Sequence, residues 1–432
     1  MIANGLSNFK DKRILLLQGP VGPFFRRLAK DLRWAGAQVC KINFNGGDWL
    51  FYPDDAISFH GKPEDWPAFF ETFVIEKNID VVLLFGDCRP IHVEALRVAQ
   101  ALGLDTGVFE EGYIRPNYIT FERSGVNARS ALPKNPLLYL NEPEAPRPET
   151  RSVRRAFSLT ALWAVLYYAA SHLLRFIFRH YKHHRPLHIW EGLYWLRAFW
   201  RRKIYRRQQR HVAAQLSGPL SGNFFLVPLQ VAADAQITVH SQYASIEDFI
   251  VEVLTSFAKN ADQACSLVLK HHPLDIGYHN YSAVIKRLAR QLGVAQRVLY
   301  IHDQSLALLF NNARGVVVIN STAGFSAIHH GCPVKTCGPA FYDMNGLTFQ
   351  GPLDEFWGRC VDHPPNRTLY HRFRASIIRH TQVNGNFYRR FEIPGIASGL
   401  VWRNIDTNTS DNLHGSAQLP SQNKIGNVSA QG

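Results

Sequence analysis

Short apolar runs alternate with amphipathic stretches from Arg13 to Glu111, and the same alternation restarts after residue 222. No other feature constrains the fold as much, because brief apolar runs separated by helical patterns are what strands of a parallel sheet look like when helices cover both faces. In the first half, Ile14 to Leu17, Val39 to Phe44, Ile79 to Phe85 and Gly107 to Phe109 read as strands. Phe24 to Ala35, stopped by Gly36, and Ile91 to Leu102, stopped by Gly103, read as helices. In the second half, Phe224 to Val227, Ser266 to Leu269, Val298 to Ile301 and Val316 to Ile319 are the strands. Its helices include one entered at Ser245, where Ser245-x-x-Asp248 makes a capping box with Asp in place of Glu, and one from Ser305 to Asn312. The expected organisation is an N-terminal Rossmann-like domain over 12–150 and a C-terminal one over 222–380. A helical segment over 381–403 and a polar, unfolded tail over 404–432 follow.

The stretch between the halves, 151–211, has its own composition. Ala156 to Leu174 carries no Asp, Glu, Lys or Arg but includes Trp163, Tyr167 and Tyr168. Arg175 to Arg210 carries eleven Lys or Arg against one acid, Glu191, with aromatics interleaved. The apolar part is marginal for the ~20 residues of a spanning helix and is interrupted by Ser158, Thr160, Ser171 and His172. A helical pair lying on an anionic membrane surface suits this composition best. A buried interdomain hairpin and a true span are the alternatives.

Charge points the same way. With 48 Lys and Arg against 34 Asp and Glu the chain carries a formal +14, which favours an anionic partner: nucleic acid, membrane surface, or phosphorylated and carboxylated substrates. The six cysteines form no C-x-x-C pair, so they read as reduced thiols of a cytoplasmic protein rather than as a zinc site. Ile14 to Leu17 is too short for the core of a signal peptide. No D-x-D, H-E-x-x-H or G-x-S-x-G occurs, and no nucleic-acid motif is present. No metal and no cofactor are therefore expected.

Ligands of open α/β sheets bind at the carboxyl ends of the strands. Gln18-Gly19-Pro20-Val21-Gly22-Pro23 follows the first strand, and Asn45-Gly46-Gly47-Asp48 follows the second, a loop suited to sugar or headgroup recognition or simply a capped turn. Glu110-Glu111-Gly112 with Arg115 follows the strand ending at Phe109; adjacent carboxylates raise one another's proton affinity, so one can serve as a general acid or base. In the second half Lys270-His271-His272-Pro273 and Asn320-Ser321-Thr322-Ala323-Gly324 follow strands. The latter opens a helix whose amides and hydroxyls suit a phosphate. Asp234, after Phe224 to Val227, is either a helix cap or a third carboxylate at the same edge.

These clusters, in this order, resemble the KpsS-type capsule polysaccharide proteins grouped with β-Kdo transferases, over most of residues 12 to 400. The runs that carry the resemblance are Gln18 to Phe25, Lys41 to Pro53, Glu110 to Pro116, Pro228 to Gln236, Lys270 to Asp275 and Asn320 to Gly324. Glu-Glu-Gly, His-Pro and Ser-Thr also resemble three short motifs of bacterial sialyltransferases, which use CMP-activated acidic sugars. The resemblance implies a GT-B-like fold with a cleft between the halves and transfer of Kdo from CMP-Kdo, with retention, to a phosphatidylglycerol-type lipid at the inner leaflet. It implies that His272, Ser321 and Thr322, with Lys270 and Gly324, hold the donor, and that Asp234 is the nucleophile. Glu110 or Glu111, with a slight preference for Glu111, is the implied acid/base. Gln18, Gly19, Asn45, Asp48 and Arg115 are acceptor-side candidates. The implied setting is peripheral to the inner membrane among other capsule biosynthesis and export proteins. A non-catalytic carrier of lipid-linked polysaccharide is the main rival.

Overall fold

The computed structural model describes residues 5–143, 149–154, 156–183, 191–232, 237 and 240–402. The tail over 404–432 and Asp234 lie outside these residues. The first half runs β1 (Arg13–Leu16), α1 (Phe24–Trp34), β2 (Gln38–Asn43), α2 (Gly46–Phe51), β3 (Ala56–Ser58), α3 (Trp66–Glu76), β4 (Val81–Phe85), α4 (Pro90–Ala101), β5 (Asp105–Glu111) and β6 (Tyr118–Arg123). After α5 (Pro136–Leu140) come the insertion helices α6 (Phe157–Leu173) and α7 (Glu191–Gln208), then α8 (Val212–Ser217). The second half runs β7 (Phe224–Pro228), α9 (Ile246–Asn260), β8 (Ser266–Lys270), α10 (Ser282–Gln291), β9 (Val298–Ile301), α11 (Leu306–Asn312), β10 (Gly315–Val318), α12 (Thr322–His329) and β11 (Val334–Thr336). It closes with α13 (Leu353–Arg359), α14 (Arg367–Thr381) and β12 (Gln382–Asn384).

The first sheet has strand order β12-β6-β5-β4-β1-β2-β3 and the second β11-β10-β7-β8-β9. Counted from its own first strand, each contains the same parallel 3-2-1-4-5 arrangement, the Rossmann order, in which the order reverses between the first and fourth strands. Two such halves make a GT-B-like α/β fold. Each sheet is buried on both faces, as the unbroken apolar runs require. Ile14 and Leu16 enter one core of the first half and Leu15 and Leu17 the other. Phe224 and Leu226 enter one core of the second half and Phe225 and Val227 the other. Ser245 caps α9 as expected, accepting the amide of Asp248 at 3.1 Å.

Past Thr381, the last residue of α14, the expected helical segment over 381–403 is not formed among its described residues. The chain leaves the second half through α14, and Gln382–Asn384 pairs antiparallel with β6 of the first sheet. Turns then carry it past α1, where Asp31 accepts the amides of Ala397 and Ser398. Gly385, Gly395 and Gly399 all take positive φ there, a conformation that ends helices rather than extends them.

Candidate active site

Both switch points are bridged by a glutamine. In the first half Gln18, just beyond β1, accepts from Arg89 beyond β4 at 2.7 Å. In the second, Gln230 beyond β7 donates to the Asn320 side chain beyond β10 at 3.1 Å. The Gly86-Asp87-Cys88-Arg89-Pro90 turn that supplies Arg89 is absent from the sequence-derived candidates. The rule that selected the others selects it too: a polar cluster directly after an apolar strand, with Pro90 opening the next helix. Asp87 is fully buried and accepts the amide of Val126 at 3.2 Å.

At the end of β5, Glu110 accepts the amide of Glu111 at 2.9 Å. Burial raises its carboxyl to about 7, Glu111 and Asp87 add to the rise, and Arg115 opposes it. Glu111 instead accepts the hydroxyl of Tyr388 at 3.3 Å. Gly112 is dictated by packing: a Cβ there would lie 1.9 Å from the carbonyl oxygen of Tyr118.

Gln18, Asn45 and Asp48 are buried rather than open, which corrects their place among the acceptor-side candidates, and of the two readings of the Asn45–Asp48 loop the structure has the capped turn. Asn45 caps α2 by accepting the amides of Gly47 and Asp48. All three residues are buried beneath α6. The hydroxyl of Tyr167 donates to Asp48 at 2.9 Å and accepts from Asn45 at 2.8 Å, while Gln18 donates to Asp48 and to Tyr167, both at 3.1 Å. Close approach explains the glycine pair: a Cβ on Gly46 would meet the carbonyl oxygen of Ala170 at 2.3 Å, and one on Gly47 the Tyr167 ring at 2.6 Å. Gly19 likewise packs on the Phe25 ring. The signal in the sequence was real, but its ligand is another helix of the same chain.

The facing edge is basic. Lys270 is buried at the end of β8, and burial lowers its ammonium to about 8 against the pull of Asp303. His271 turns toward β9, with Nδ1 2.6 Å from the Tyr300 hydroxyl. His272 accepts the amide of Leu274 at Nδ1 (3.2 Å), which leaves Nε2 as the proton donor. Burial, reinforced by Lys270, lowers this imidazole to about 4. Ser321 caps α12 by accepting the amide of Ala323 at 3.2 Å. Gly324 is again a packing glycine, because a Cβ would lie 2.2 Å from the Tyr342 oxygen.

The two edges meet. Arg115 is near enough for its charge to help depress His272. The Tyr113 ring stacks on Phe341 at 3.8 Å, and Cys88 Sγ lies 3.0 Å from His240 Nε2. While α6 covers the first edge, α7 covers the second. Tyr205 stacks on His302 at 3.7 Å, Arg201 donates to the carbonyl of Ile276 at 3.0 Å, Arg206 pairs with Asp303, and Gln209, just past the helix, donates to the carbonyl of Tyr300 at 3.3 Å. No helix among the described residues is long and apolar enough to cross a membrane. Leu162, Val165, Leu166 and Leu173 of α6, and Phe199, Trp200 and Ile204 of α7, nonetheless expose apolar surface.

The chain has relatives among known proteins. The chain is 40% identical to the capsule polysaccharide export protein KpsS of Escherichia coli over 87% of its length and 97% of the relative's. It is 38% identical to the capsule polysaccharide modification protein LipB of Neisseria meningitidis serogroup A over 91% of its length and 96% of the relative's. Among solved structures, the β-Kdo 2,7 transferase of Thermosulfurimonas dismutans KpsC aligns with 88% of this chain and 94% of its own at 16% identity and a TM-score of 0.44. The model of the capsule polysaccharide biosynthesis protein family matches residues 80–388, and with relatives of this identity and coverage the chain belongs to that family.

Proposed function

We propose that this protein is a retaining β-Kdo transferase that moves Kdo from CMP-Kdo to a phosphatidylglycerol-type lipid and so starts the linker of a capsular polysaccharide. The observation that supports it most is the meeting of the two edges: Arg115, whose charge acts on Glu110, also acts on His272, which shares its own edge with Lys270 and the N-terminus of α12, and the Tyr113 ring stacks on Phe341 across the halves. In this reading Asp234 attacks the anomeric carbon and CMP departs. Nε2–H of His272, Lys270 and the α12 amides with Thr322 take up the charge of its phosphate. Glu110 then accepts the proton of the acceptor hydroxyl as that oxygen attacks the same carbon and displaces the Asp234 carboxylate. Two inversions give net retention. Glu110 suits the base role better than Glu111, because Glu111 is engaged by Tyr388 while Glu110 is poised to exchange a proton near neutral pH.

The lipid acceptor accounts for the insertion. The exposed apolar side chains of α6 and α7, with Arg202, Lys203, Arg206 and Arg207 beside them, form a surface suited to anionic headgroups on the cytoplasmic face of the inner membrane. The decisive assay supplies purified protein with CMP-Kdo and phosphatidylglycerol vesicles and determines the linkage of any product. A β-linked Kdo-lipid is expected, and Asp234→Ala should abolish it with the circular dichroism spectrum unchanged. Full activity in that variant overturns the nucleophile assignment. No product with any lipid acceptor favours the non-catalytic carrier.

A further inference from the structure

We propose that Asp87, Cys88 and His240 form a binding site for a divalent d-block cation of zinc type, which ties the two halves together across the cleft. Their ligand atoms, a carboxylate oxygen, a thiol sulfur and an imidazole nitrogen, all lie within 4.8 Å of one another. Cys88 Sγ is 3.0 Å from His240 Nε2 and 3.1 Å from Asp87 Oδ1. Mixed sulfur, nitrogen and oxygen donors are the set that zinc and its neighbours prefer, whereas magnesium and calcium take oxygen alone.

The donors are held from both sides. Asp87 and Cys88 sit on the turn between β4 and α4, with the second Asp87 oxygen fixed by the Val126 amide. His240 comes from the segment between β7 and α9, and its carbonyl accepts from Asn320 at 3.5 Å, which ties it to the second switch point. With bonds of ~2.3 Å to sulfur and ~2.0–2.1 Å to nitrogen or oxygen, tetrahedral geometry sets sulfur about 3.5 Å from each of the other donors, so Cys88 Sγ needs to part from His240 and Asp87 by about half an ångström. Three protein ligands leave a fourth position open. His240 also lines a cavity with Ser241, Gln242 and Cys337, which gives a water or substrate oxygen room beside it. Binding converts the Cys88 thiol to a metal-bound thiolate and releases one proton to solvent. No electrons are exchanged.

The site runs against the sequence-based expectation of no metal, and motif searching misses it because its ligands come from opposite halves. The test uses full-length protein stripped with EDTA and titrated with Co2+ alone, followed by absorbance, and with Zn2+ alone, followed by calorimetry in buffers of different ionisation enthalpy. One equivalent per chain, a thiolate-to-cobalt charge-transfer band and release of about one proton are expected. Cys88→Ser should remove the band, and His240→Gln should weaken binding by more than about 100-fold, since displacing even a supporting partner costs 10–100-fold. A band that survives His240→Gln at unchanged affinity overturns the cross-cleft site, and stoichiometric binding without the band overturns Cys88 as a ligand. Should Cys88→Ser fail to fold by circular dichroism, His240→Gln on the opposite half carries the test by itself.

Discussion

The two halves share one strand order and one device, a glutamine across the switch point, but their facing edges carry opposite chemistry. The carboxylates Asp87, Glu110 and Glu111 gather on the first edge, beside Arg89 and Arg115, and Lys270, His271, His272 and His302 on the second, beside Asp303. The same cause acts on both in opposite directions. Burial raises Glu110 to about 7 and lowers Lys270 to about 8 and His272 to about 4. Each edge is thereby moved toward neutrality, which favours groups that exchange a proton or donate a hydrogen bond over groups that merely attract. The covering helices differ as well. Helix α6 is anchored by a buried hydroxyl network and two obligatory glycines, whereas α7 is held by a ring stack, carbonyl contacts and a solvent-exposed ion pair.

The sharpest test of the opposed edges is Glu110→Gln. Transfer should fall by roughly 10²–10⁴-fold, and the acid limb of the wild-type rate profile, centred near pH 7, should be lost. Stability should move the other way. The folded-state pKa of Glu110 lies above the unfolded value, so wild-type stability is greatest below the unfolded pKa and falls as pH rises toward the folded one. Denaturant melts should show the variant equal to wild type near pH 4 and more stable by on the order of 2–3 kcal/mol above pH 8.

The contrast between the covering helices is broken most directly at Gly46→Ala. The new methyl meets a backbone carbonyl rather than a yielding side chain, so a loss of about 3 kcal/mol or detachment of α6 is expected, read by melting and limited proteolysis. Tyr167→Phe keeps the ring and removes the hydroxyl, leaving Asp48 and Asn45 short of a buried partner; a loss of about 1–3 kcal/mol is expected. On α7, Tyr205→Ala should cost about 0.5–1.5 kcal/mol beyond lost contact area. The smallest effect belongs to Arg206→Ala, which breaks an exposed pair and should cost less than about 1 kcal/mol while weakening binding to anionic vesicles in a salt-dependent way. Equal costs for Tyr167→Phe and Arg206→Ala would erase the distinction between the two helices.

Much of this molecule could be read one residue after another. Strands β1, β4, β7, β8 and β10 are apolar runs with one physical solution, burial on both faces, and Ser245 announces its helix because a hydroxyl before an apolar run satisfies an exposed amide. The apolar pattern does not mark strands β3, β6, β11 and β12. Three of them are only three residues long, and β6 carries Thr120 and Glu122, so apolar pattern alone does not mark it. The Asp87 turn is a polar cluster directly after an apolar strand, but its residues match no named motif.

The local pattern therefore determined two α/β halves, the strand ends that carry polar clusters, and a basic aromatic insertion between them, since periodicity and helix capping are interactions of neighbours in the chain. Tertiary structure decided what each cluster is for. It turned the acceptor-side candidates Gln18, Asn45 and Asp48 into the socket of Tyr167, brought Cys88 against His240 from 152 positions away, and returned the chain after α14 to the first sheet as a strand. Burial depends on which surfaces the whole chain brings together, and burial is also what moved Glu110 and His272 from ordinary charged or ionisable groups to a poised carboxyl and a neutral donor.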